Sequence, residues 1–131
     1  MNRETIYRGW RGKRGHCIVT VTENGRTRRL PLRTDLVNHS PTGFEWGYWG
    51  SGPAQLALAI LAWHCGSNEN RAIRLHQHFK WDVVTGLDHD EWTLTGRQVE
   101  AALQDIEAEL AEAEMGRDEP ASGDCWGAQN Y

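Results

Sequence analysis

From Ala54 to Trp63 nine of ten residues are apolar, and Gln55 is the one polar side chain in the run. A helix that is apolar on every side must be covered on every side. The segment therefore predicts a central buried helix near residues 53–65, with the remaining elements wrapped around it. Its approach, Gly47-Tyr48-Trp49-Gly50-Ser51-Gly52-Pro53, suits a helix start: Ser51 or Gly52 can cap, and Pro53 fits the first helical position. The run is well short of the roughly 18–20 apolar residues a membrane span needs.

The covering elements can be placed from local signals. Residues 5–33 read as strands: the β-branched stretch Cys17–Thr22 and the stretch Arg28–Leu32 flank Asn24-Gly25, the dipeptide that best tolerates a type I′ turn. The hairpin's arginines belong on its exposed side, because Ile18 and Leu30 need the core. Phe44, Trp46 and Tyr48 fall at every second position, as on one face of a short strand. A second helix is expected from Glu69 to about Val84, capped by Ser67 or Asn68, with Ile73, Leu75, Phe79 and Val83 mostly on one side. Glu91–Leu94 suits an edge strand. Thr95 and Gln98 then form a capping box for a third helix, whose inward stripe is Val99, Leu103, Ile106 and Leu110. The expected fold is α+β: an N-terminal hairpin and a small antiparallel sheet packed on about three helices. Residues 1–115 form the single domain, and 116–131, rich in Gly, Asp, Glu, Pro and Ser, an acidic flexible tail.

The three cysteines, Cys17, Cys65 and Cys125, are an odd number without framework spacing, and the N-terminus lacks the apolar core of a signal peptide. Both point to a cytoplasmic protein with free thiols. The net charge of −4 conceals a strong polarity. Residues 1–33 carry nine Arg and Lys against two acids, a net +7; residues 34–87 carry −1, and residues 88–131 carry −10. Such asymmetry has two readings: the basic end meets phosphates or an acidic surface, or the acidic end neutralises it within the molecule. The exposed basic set would be Arg11, Lys13, Arg14, Arg26, Arg28 and Arg29.

Three segments carry candidate chemistry. The glycines at 47, 50 and 52 lead into a helix start, whose unpaired N–H groups and partial positive charge suit an anion. The spacing G-x-x-G-x-G is neither a Walker loop nor a dinucleotide fingerprint, so no cofactor is expected; a tight turn capped by Ser51 is the plain alternative. Candidate ligand contacts are Trp49, Gly50, Ser51, Gly52, Asn38 and His39. Among seven tryptophans, Trp46, Trp63, Trp81 and Trp92 suit core packing, whereas Trp49 breaks the period-two pattern and should be exposed. The stretch Asn38–Gly43 with Glu45 offers Ser40, His39 and Glu45 as a nucleophile–base–acid set. Neighbours in sequence rarely converge in that way, and turn chemistry accounts for the segment better. A metal is not expected: His16-Cys17 and His64-Cys65 are adjacent pairs, His76 and His78 lie two apart on a helix, and chelation on one helix wants three or four.

The run Leu30-Pro-Leu-Arg-x-Asp-Leu-x-Asn-His-Ser-Pro-Thr-Gly-Phe-Glu-Trp-Gly-Tyr-Trp-Gly-Ser-Gly-Pro-Ala-Gln-Leu-Ala-Leu-Ala-Ile-Leu61, with Phe79-Lys80-Trp81 and Trp92-Thr93-Leu94-Thr95 later, resembles a family of small domains of unknown function from bacteria, phages and plasmids. The resemblance spans residues 5–105, and the family's usual form has Gly where this chain has Trp49. It brings no established catalytic residues. The association with mobile elements implies a role in phage–host conflict, including inhibition of a nucleic-acid-guided, CRISPR-like defence complex. The leading functional reading is a non-enzymatic binding protein. Its partner would be a nucleotide, a nucleic acid, or a protein or nucleoprotein complex bearing phosphates or acids. The alternatives are a small hydrolase or transferase using His39, Ser40 and Glu45, and an acidic nucleic-acid mimic built on the third helix.

Overall fold

Asn24 and Gly25 take positive φ values of 54° and 78°, the backbone that a two-residue hairpin turn requires. They join β2 (Cys17–Glu23) to β3 (Arg26–Arg29), and β1 (Ile6–Arg11) lies on the other side of β2. The computed structural model describes residues 4–115. The tail expected at 116–131, with Cys125 and Trp126, lies outside them. After β3 a long loop enters α1 (Ser51–Cys65), followed by α2 (Glu69–Asp82), β4 (Glu91–Thr95) and α3 (Gly96–Met115). The sheet is antiparallel throughout, in the order β3-β2-β1-β4, so the segment expected as an edge strand is one. The fold is α+β.

Every residue of α1 from Gly52 to Ala62 is buried, as an all-apolar helix demands. Around it close Tyr7, Val19, Val21, Trp92 and Leu94 from the inner sheet face, Leu75 and Phe79 from α2, and Val99, Leu103 and Ile106 from α3. Gly9 is the flat spot in that wall. A Cβ there would lie 2.4 Å from Trp92 Cε2, so the indole lies directly on the strand backbone. Local caps hold the helices in place. Asn68 accepts from the Arg71 N–H. Thr95 and Gln98 satisfy each other's backbone N–H groups reciprocally, the expected capping box.

Four local expectations are corrected. No side chain caps α1: Gly50, at φ 154°, is the residue before it, Ser51 and Gly52 are its first two residues and Pro53 its third. That φ is strained for any residue with a Cβ, so glycine chemistry sets the start. Second, the aromatic run is not a strand. Phe44 and Trp46 are buried, but Gly47 at φ 86° rotates the chain and leaves Tyr48 exposed. Third, α2 stops at Asp82, and Val84–Gly86 forms a separate tight turn. Fourth, Trp81 is 44% exposed rather than in the core, because two residues past the buried Phe79 the last turn of α2 presents the opposite helix face.

Candidate functional site

Gln55, the polar exception in the apolar run, organises the approach to α1. It is fully buried, and its Oε1 accepts from the backbone N–H groups of His39 (2.7 Å) and Ser40 (2.9 Å). Its Nε2 donates to the carbonyls of Leu32 (2.7 Å) and Val37 (3.1 Å). One amide thereby latches the 32–40 loop to the helix, using both of its donors. The second half of the loop is held elsewhere: Gly47 N–H donates to the Val84 carbonyl, and Trp46 Nε1 to that of His89.

Between the loop and the hairpin a groove of about 510 Å³ opens over the first turn of α1. It is lined by His16, Cys17, Arg29, Ser40, Thr42, Gly43, Phe44, Glu45, Tyr48, Ser51 and Gly52. A recess of about 240 Å³ shares Cys17, Arg29, Thr42, Gly43 and Phe44 with it, and adds Val19, Leu30 and Leu32. The helix entrance is half open. Ser51 is exposed, whereas Gly52 lies under Glu45, and a Cβ on Gly52 would come 2.7 Å from the Cβ of Glu45.

Glu45 does not act on Ser40 or His39. Its carboxylate pairs with Arg11 (3.2 Å), whose guanidinium also reaches Cys17 Sγ (2.9 Å) and the His89 carbonyl (2.9 Å) and lies 4.7 Å from the Trp46 ring centre. Arg11 therefore differs from the rest of the basic set. It shares the inward parity of Tyr7 and Gly9, and its side chain is only 17% exposed. Lys13, Arg14, Arg26, Arg28 and Arg29 are exposed, but Arg28 is opposite buried Val21 and lies 6.0 Å from the Trp63 ring centre. Ile18, opposite Trp10, falls outside the core. Burial, then the Glu45 charge, pushes the Cys17 thiol up to about 11, so the one thiol in the groove stays protonated near neutrality.

The Ser40 hydroxyl donates to the Gly43 carbonyl (2.8 Å). His39 instead faces α2, where its Nε2 lies 2.9 Å from Nε2 of His76. Nδ1 of His76 sits 2.7 Å from the Ile73 carbonyl, which can only accept. His76 therefore carries its proton on Nδ1, and its Nε2 receives the proton of His39. Burial holds His76 at about 4, with His39 and Lys80 adding to the depression, and His39 is lowered by burial and Lys80. The pair is thus neutral at pH 7. Ser40, His39 and Glu45 point to three different partners and form no relay. Among the described residues no group of three or more His, Cys, Asp or Glu could hold a metal.

Beyond the groove Trp49 stands 64% exposed, in edge contact with Trp81 (ring centres 4.4 Å apart, planes at 70°). Lys80 Nζ lies 5.0 Å from the Trp81 ring centre. Neither this pair nor the two facing histidines has a sequence signal: their partners are 32 and 37 positions apart, outside any helical or strand periodicity. Asn38 is exposed, and neither it nor Gly50 lines the groove.

What fold and groove define is a small α+β domain with a latched loop beside an open cleft that carries Arg29 and Glu45. The model of a family of unknown function, DUF6166, matches residues 7–105, and the chain belongs to that family. No curated protein and no solved structure matches it. Among the described residues no helix is long and apolar enough to cross a membrane.

Proposed function

We propose that the chain is a non-enzymatic binding protein that engages a phosphate-bearing or acidic partner at the groove over α1. The observation that carries this reading is that Arg29, on the exposed hairpin, and Ser51 and Gly52, in the first turn of α1, line the same open cleft. A guanidinium and the unpaired N–H groups of a helix start then act on one anion from two sides. Glu45, the acid in the cleft, is offset by Arg11. The divergence of Ser40, His39 and Glu45 weighs against the enzyme reading. Acidic mimicry is weakened because Glu100 and Glu107 are committed to Arg71 within the fold. Action against a nucleic-acid-guided defence complex is an extension that rests on the family resemblance alone.

The test is calorimetric titration with inorganic polyphosphate at two salt concentrations, for the native chain and for Arg29→Ala. Binding that falls steeply with salt and weakens about tenfold on losing Arg29 supports the reading, since a charge-assisted bond of this kind contributes roughly 1.5–3 kcal/mol. Absence of binding at low salt overturns its phosphate form. A binding constant indifferent to Arg29 removes the groove as its location.

A further inference from the structure

Three large aromatic side chains stand in solvent, Trp49 and Trp81 in edge contact and Tyr48 next to Trp49 in the chain: Tyr48 at 49%, Trp49 at 64% and Trp81 at 44% exposed. Contiguous exposed rings of this size are uncommon on a monomer and mark contact surfaces. They are not a loose loop tip. Trp81 belongs to α2, while Tyr48 and Trp49 follow Gly47, whose N–H is tied to the Val84 carbonyl. The Tyr48 ring lies over Gly50, where a Cβ would come 2.9 Å from Cε2. The 70° contact between Trp49 and Trp81 sets an edge of one ring against the other and Lys80 lies over Trp81, so Trp49, 64% exposed, offers the more open indole.

The surroundings decide what such rings would meet. Lys80 sits beside Trp81, and Tyr48 lines the groove that also holds Arg29 and Glu45, the latter paired with Arg11. Aromatic faces thus alternate with cations along one path, from the hairpin edge through the groove to the last turn of α2. A purely apolar partner has no use for the cations, and a simple anion has none for the rings. A single-stranded nucleic acid needs both: bases to stack and phosphates to neutralise, whereas a duplex hides its bases from stacking.

We propose that Tyr48, Trp49 and Trp81, flanked by Lys80 and Arg29, form a stacking track for single-stranded nucleic acid. This deepens the proposed function and rests on it. Bases lie on the open faces of Trp49 and Tyr48, and the phosphates between them meet Lys80 and Arg29.

The experiment is fluorescence polarisation at low salt with three labelled probes: a deoxythymidine oligonucleotide of about a dozen nucleotides, an abasic oligomer with the same phosphates, and a duplex of equal length. The track expects the base-bearing strand to bind about tenfold more tightly than either other probe. Trp49→Ala and Trp81→Ala should each remove most of that preference while leaving the abasic affinity unchanged, and Trp49→Phe should restore part of it. Both indoles are solvent-exposed, and unchanged thermal melting will show that these variants fold. Equal affinity for the abasic probe or for the duplex overturns the track while leaving the groove reading standing. Failure of all probes to bind overturns both.

Discussion

Gln55 is the residue on which the site's geometry depends most. Replacing it by Leu keeps the volume but strands two N–H groups and two carbonyls of the 32–40 loop. Chemical denaturation should show Gln55→Leu destabilised by about 2–4 kcal/mol, the loop's access to water offsetting part of the full penalty. His76 is the second such residue. Its neutral form is favoured in the fold by burial and by His39 and Lys80, so its folded value of about 4 lies below the ordinary 6.5. As pH falls below 6.5 the unfolded chain takes up a proton that the folded chain refuses. Stability is therefore complete above 6.5, declines as pH falls toward 4 and levels off below it, by about 3 kcal/mol in all. Melts of the native chain and of His76→Gln between pH 7 and pH 4.5 should show the decline in the first and a much flatter profile in the second. At this scale little could be read ahead. Gln55 stood out as a lone polar residue in an apolar helix, yet its four partners lie 15 to 23 positions upstream. His39 and His76 meet only because α1 and α2 lie side by side.

Elements were far more legible, because their signals are local. The Asn24-Gly25 turn, the Asn68 cap and the Thr95–Gln98 box each involve residues within three positions of one another. The all-apolar run made α1 the centre, whatever its neighbours. Where the reading slipped, at the start of α1 and in the aromatic run, a glycine φ decided the outcome, and the letter G does not state which φ it takes. Thr95 supplies the direct test of a local device: Thr95→Ala removes the acceptor for the Gln98 N–H and should lower the melting free energy by about 1 kcal/mol. Because the box lies at the far end of β4 from the groove, polyphosphate affinity should be unaltered in that variant.

For the whole molecule, the polarity of charge was plain in the sequence, but its disposition was not. The acids of α3 are met from α2 and α1: Glu107 by Arg71 and Arg74 of α2, and Glu100 by Arg71 and by His64 at the end of α1. Against the effect of burial, hydrogen bonds from Arg71, His64 and Gln104 hold Glu100 at about 2, and Arg71 lowers Glu107, so both carboxylates stay ionised far below neutrality. Among the described residues no ion pair joins α3 to the hairpin, and Arg26, Arg28 and Arg29 remain exposed on the β3 edge. The hairpin arginines thus face solvent beside the groove, whereas Arg11 and Arg33 are paired with Glu45, Asp35 and Glu69. An open cleft that receives a polyanion between Arg29 and the first turn of α1 is the central claim. Amide chemical-shift mapping during a low-salt titration with polyphosphate tests it most directly. A polyanion held there should concentrate the shifts at Arg29, Tyr48, Trp49, Ser51 and Gly52 and lose them as salt is raised; shifts that cluster on α3 or the outer sheet face, or none at all, would contradict binding in the cleft.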